Sequence, residues 1–68
     1  MTDLVIALGY RGQTVAFQPT TSRGFAWAKE ALSGEYRSGS AYRVEPMAAH
    51  VLATWAEDEG LTVENRLA

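Results

Sequence analysis

Glu45-Pro46-Met47-Ala48-Ala49-His50-Val51-Leu52-Ala53-Thr54-Trp55-Ala56-Glu57-Asp58-Glu59-Gly60 is the stretch whose reading decides the fold. Proline suits the first helical turn, because its fixed φ is already helical and its missing N–H would have had no partner there. A glycine after the last periodic residue can take the left-handed conformation that closes a helix, so a helix is predicted from Pro46 to Glu59. Within it Met47, Ala48, Val51, Leu52, Trp55 and Ala56 recur at three- and four-residue spacing and make one apolar stripe. Such a stripe is expected to face a sheet or another helix, with Trp55 as its core anchor. His50, Thr54, Glu57 and Asp58 fall on the other face. The acidic run Glu57-Asp58-Glu59 closes the helix where the macrodipole disfavours negative charge, a small local cost.

Upstream of this helix, Ala41-Tyr42-Arg43-Val44 reads as a short strand, and downstream Leu61-Thr62-Val63 alternates enough for another, with the remaining residues fraying. A strand, a helix and a strand in this order form a crossover unit whose two strands run parallel in one sheet. Near the N-terminus, Leu4-Val5-Ile6-Ala7-Leu8 and Thr14-Val15-Ala16-Phe17 have strand composition. A hairpin turning on Tyr10-Arg11 would set Leu8 opposite Gln13, Ile6 opposite Val15 and Leu4 opposite Phe17. That register gathers Leu4, Ile6, Val15 and Phe17 on one face and Val5, Ala7, Thr14 and Ala16 on the other. Pro19 ends the second strand, and Thr20-Thr21-Ser22 can cap a helix carrying Phe25, Ala28, Ala31 and Leu32 on its apolar side, with Trp27 at the edge. Gly24 weakens the first turn of that helix, and Ser33-Gly34 stops it. The segment 35–40, with its Ser-Gly-Ser run, reads as loop.

The expected fold is therefore a single α/β (α+β) domain over residues 1–68, a two-layer sandwich in the order β-β-α-β-α-β. Both helices would cover one face of a small mixed sheet. The other face would show Val5, Ala7, Ala16 and Ala41, more apolar than a bare sheet face usually is, which suggests that something covers it. At 68 residues the chain is near the lower size limit for a self-sufficient core, and with no cysteine it has neither disulfides nor thiolate-held zinc as a staple. Association with a second copy is the remaining common device. The absence of a basic, apolar leader and of any apolar run near the ~20 residues that span a bilayer leads to the expectation of a cytoplasmic protein.

Each of the three tyrosines is followed by arginine: Tyr10-Arg11, Tyr36-Arg37 and Tyr42-Arg43. Aromatic and basic residues together suit base stacking and phosphate contact on single-stranded nucleic acid. Neighbours on a strand point to opposite faces, however, so Tyr42 and Arg43 cannot make one patch, and a net charge of −2 does not favour a dedicated nucleic-acid domain. Gly9-Tyr10-Arg11-Gly12 resembles the G-x-x-G loop of KH domains, but it lies between two strand-like segments instead of two helices and reads as a hairpin turn. His50 is the single histidine, and one histidine with Glu57 leaves a zinc site short of ligands. No nucleophile-elbow or phosphate-loop pattern is present, and the carboxylates Glu35, Glu45, Glu57 and Glu64 are scattered. No catalytic residue, cofactor or metal ligand is assigned on these grounds. The expected function is a small non-catalytic module that binds a protein partner or itself, with Val5, Ala7, Ala16 and Trp27 as the candidate interface. The alternative is nucleic-acid binding through Tyr10, Arg11, Tyr36, Arg37 and Arg43.

Overall fold

The structure, a computed structural model, describes residues 1–9 and 13–66. Its elements are β1 (Leu4–Leu8), β2 (Val15–Pro19), α1 (Ser22–Ala31), β3 (Tyr36–Ser38), β4 (Ala41–Val44), α2 (Pro46–Asp58) and β5 (Val63–Asn65). The five strands form one mixed sheet in the order β3-β4-β2-β1-β5, in which β1 and β5 are parallel and the other neighbours antiparallel. β4 and β5, the strands on either side of α2, run in the same direction with β2 and β1 between them. Both helices pack on one face, where Leu4, Ile6, Val15, Phe17, Tyr42 and Val44 of the sheet meet Trp27, Ala28, Leu32, Ala49 and Ala56 in a single core. This is the expected two-layer architecture with one strand more than the sequence indicated.

The added strand is β3. Its Tyr36-Arg37-Ser38 has the polar composition of a loop, but Gly39 at φ +64° turns the chain so that Tyr36 pairs with Arg43, Arg37 with Tyr42 and Ser38 with Ala41. A glycine with positive φ in a two-residue connection matches the right-handed twist of antiparallel strands, and so the Ser-Gly-Ser run makes a hairpin. The first hairpin also differs from expectation. Leu8 lies opposite Val15, Ile6 opposite Phe17 and Leu4 opposite Pro19, a register two residues away from that of a tight turn on Tyr10-Arg11. Gly9 N–H donates to the Thr14 carbonyl at 2.7 Å, and the expected turn residues Tyr10 and Arg11 lie outside the described residues. Side chains alternate with a period of two, so a two-residue shift keeps every residue on its expected face. Leu4, Ile6, Val15 and Phe17 are accordingly all buried on the helix side.

The largest correction concerns the rotation of the helices. In α2 the buried residues are Ala49 and Ala56, with Ala48, Leu52 and Ala53 partly buried beside them, whereas Met47 and Val51 are 84% and 66% exposed. In α1 the buried residues are Gly24, Trp27 and Ala28, and Phe25 is exposed. α2 is turned about one position from the stripe that its largest apolar residues define, and α1 is turned so that Trp27 goes in and Phe25 out. In α2 the alanine row lies against the sheet, and in α1 Gly24 and Ala28 make that contact beside the buried Trp27. The two tryptophans consequently exchange roles. Trp27 is 8% exposed and stacks on Phe17 with ring centroids 6.4 Å apart, while Trp55 is 44% exposed and meets Trp27 edge-on at 6.1 Å.

Two features near the N-terminus fix α1 against the sheet. Thr21 is the N-cap of α1, its Oγ accepting from Gly24 N–H at 3.1 Å and donating to Asp3 Oδ1 at 2.6 Å. Asp3 Oδ2 accepts from Thr62 N–H at 2.9 Å, so one carboxylate ties the chain start, the α1 cap and the approach to β5. The Asp3 backbone joins the same knot, accepting from Thr20 N–H and donating to the Thr62 carbonyl. Gly24 sits directly beneath it: a Cβ at that position would lie 2.0 Å from the Asp3 carbonyl oxygen. Gly24 therefore permits a close approach instead of weakening the helix. Gly24→Ala should destabilise the protein by about 1–3 kcal/mol in urea unfolding, opposite in sign to the ~1 kcal/mol gain of this change in an ordinary helix. A stabilised variant would mean that the contact relaxes freely.

The Asp3 carboxyl is held below its ordinary value of 3.8, chiefly by the Thr21 hydroxyl and then by the Thr62 N–H, with Arg23 contributing charge. A carboxyl depressed on folding contributes stability that is complete above its unfolded pKa and is lost as pH falls through the folded value. Thermal melting should therefore weaken below about pH 4, and Asp3→Asn should lower the melting temperature at neutral pH while flattening that acid limb. An acid limb identical to that of the parent would remove Asp3 as its source.

Candidate protein-docking surface

α2 begins at Pro46 without a side-chain cap and ends at Asp58, with Glu59 as its C-cap, after which Gly60 at φ +88° turns the chain toward β5. Because its alanines face the sheet, the row Met47, Val51 and Trp55, spaced one turn apart, faces solvent. The row is continuous with two hollows that share Trp55. One, of about 340 Å³, lies along the outside of α2 between Val51, Trp55, His50, Thr54 and Asp58. The other, of about 290 Å³, runs between the helices, where Trp27, Trp55 and Leu61 meet Arg23, Glu30 and Glu59. Trp55 Nε1 donates to Glu59 Oε1 at 3.1 Å, which holds that carboxylate beside the indole. Arg23 lines the same hollow, its Nη2 donating to the carbonyl of Gly60, which lies between Glu59 and Leu61, at 2.9 Å.

The other face of the sheet carries Val5, Ala7, Ala16 and Ala41, all half-buried, as expected from alternation. They are not alone. Gln18 lies across from Val5, Arg43 across from Ala16 and Glu64 across from Val5 on the far side, so polar side chains frame the alanines. Trp27, grouped with these residues from the sequence, is instead in the core, with part of its ring lining the groove between the helices.

The tyrosine–arginine dipeptides are rearranged by β3. Because Tyr36-Arg37 lies on a strand as Tyr42-Arg43 does, both of these dipeptides are split between the two faces, and cross-strand pairing joins their members again in exchange. The Arg43 guanidinium lies 5.8 Å from the Tyr36 ring centre on the open face, and Arg37 lies 5.7 Å from that of Tyr42 on the helix face. Arg37 Nε also donates to the Gly39 carbonyl at 2.8 Å. Arg37 and Arg43 thus do not share a surface, and Tyr10 and Arg11 lie outside the described residues.

His50 is exposed, and among the described residues no group of three or more histidine, cysteine or carboxylate side chains could hold a metal ion. No described helix is long and apolar enough to cross a membrane. The surface residues that sequence reasoning missed are Met47 and Val51, assigned inward, and the groove pair Glu30 and Glu59. A sign was present in Ala49-x-x-Leu52-Ala53-x-x-Ala56, a second stripe at helical spacing that the larger side chains of the neighbouring row overshadow. No protein-family model, no curated protein and no solved structure matches the chain.

Proposed function

We propose that this protein is a small, non-catalytic, intracellular binding module that receives a protein partner on its helical layer. The observation that carries the reading is the solvent-facing row Met47, Val51 and Trp55, which leads into the groove floored by the two tryptophans. Large apolar side chains aligned on the exposed face of a helix gain free energy when a partner takes them out of water, and tryptophan is among the residue types enriched at the anchoring positions of such contacts. The open sheet face is the weaker surface: Val5 and the alanines are short and half-buried, the polar Gln18, Arg43 and Glu64 stand across from them, and the exposed Tyr36 ring already lies against the Arg43 guanidinium.

Affinity capture with three forms of the chain tests this assignment. A partner retained by the parent and by Val5→Lys, but lost with Val51→Lys, supports the helical face. Loss with Val5→Lys alone would move the interface to the sheet, and loss on nuclease treatment would favour nucleic acid. Sedimentation equilibrium on the same forms separates a second copy of the chain from a different partner. Val51→Lys itself should change stability by no more than about 0.5 kcal/mol, since the position is on the surface.

A further inference from the structure

We infer that the partner presents a basic side chain, lysine or arginine on an apolar helical segment, which lies against Trp55 in the groove between α1 and α2. This rests on the helical-face reading and specifies the chemistry of its occupant. Of the ionisable groups lining the groove, Glu30 and Glu59 are anionic and Arg23 is cationic, and the Arg23 guanidinium is directed onto the Gly60 carbonyl. The Glu59 carboxylate is fixed next to the indole by the Trp55 Nε1–H, so a cation on the ring would meet an aromatic surface and a carboxylate together. Asp58 borders the adjoining hollow on the same helix, and α2 has no basic residue in its last turn. Negative charge at a helix C-terminus is unfavourable for the helix alone, and a bound cation would relieve it.

The same charges argue against a second copy in this place. An antiparallel pairing of α2 with itself about Val51 would bring the acidic residues 57–59 of each chain beside Glu45 of the other, placing like charges together. A basic amphipathic segment satisfies both parts of the surface: apolar side chains for Met47 and Val51, a cation for the Trp55 groove.

The test uses the full chain and its two tryptophans as the reporter. Indole fluorescence is titrated with a synthetic helical peptide of leucine and arginine at three- and four-residue spacing, and with the same peptide carrying glutamine for arginine. The arginine peptide should give a saturable change that weakens with salt, and Glu30→Gln with Glu59→Gln together should weaken it about tenfold or more. Val51→Lys should weaken it as well. Equal binding of the arginine and glutamine peptides, both lost in Val51→Lys, would overturn the basic partner and leave the helical face standing. No saturable change with the arginine peptide, or a change indifferent to Val51→Lys, would overturn the inference, the latter outcome also removing the helical face.

Discussion

Trp27→Ala is expected to cost about 3–5 kcal/mol, whereas Trp55→Ala is expected to cost about 1 kcal/mol. Trp27 is 8% exposed and lies between Phe17 and Trp55, so its truncation opens a cavity beneath α1 and removes two aromatic contacts. Trp55 keeps one of its faces in water, and its loss forfeits the edge-on contact with Trp27 and the bond to Glu59. With a total stability of roughly 5 kcal/mol for so small a domain, the first variant should be largely unfolded and the second folded with a lowered denaturation midpoint. Urea unfolding of both, followed by circular dichroism, decides the matter. Equal losses would contradict the rotation of α2 that exposes Met47 and Val51. Trp27→Phe provides a further contrast. The buried Nε1 of Trp27 has no hydrogen-bond partner among the described residues, so phenylalanine removes an unsatisfied donor along with volume and should cost much less than alanine.

Phe17→Ala should be comparably severe, about 3–5 kcal/mol, and for a different reason. Phe17 is fully buried at the centre of β2, the middle strand of the sheet, where it is paired with Ile6 on one side and Tyr42 on the other. Removing its ring separates the sheet from α1 at the point where neighbouring strands on both sides depend on it. Phe17→Leu should recover most of the loss, because volume and not aromatic character holds this position. A Phe17→Ala protein that melts like the parent would mean that the core closes over the gap.

The strands were readable because their signal is local. Leu4, Ile6, Val15 and Phe17 alternate with smaller residues, and a period of two tolerates the two-residue error in register without moving a side chain between faces. The cap at Thr21 and the turn at Gly60 were readable for the same reason, since each acts on residues within one turn. β3 was not, because nothing in Tyr36-Arg37-Ser38 is apolar enough to mark a strand. It becomes one only when β4 supplies hydrogen bonds and the arginines find tyrosines across the pair.

The proposed docking surface was legible only in part. From the sequence, Val5, Ala7 and Ala16 were rightly assigned to the open face of the sheet, but the row of Met47, Val51 and Trp55 was assigned inward. Size and hydrophobicity favoured that row, and helical periodicity fits both it and the alanine row one position away. Helix α1 shows the same effect at Phe25 and Gly24, where contact with the Asp3 carbonyl admits glycine alone. Asp3 itself gave no sign of its role, since its partners Thr21 and Thr62 are 18 and 59 residues distant.

By itself the sequence determined the number and kind of helices, the existence of four of the strands, and the side of the sheet on which the residues of β1, β2 and β4 lie, because all of these follow from interactions between near neighbours; it set the last strand at Leu61–Val63, two residues before the observed Val63–Asn65. Only the tertiary structure decided which row of each helix meets the sheet, which tryptophan is buried and which large apolar residues remain exposed. Those choices depend on packing between residues far apart in sequence, which sets Ala49 and Ala56 of α2 and Gly24, Trp27 and Ala28 of α1 against the sheet whichever row of the helix is the most hydrophobic.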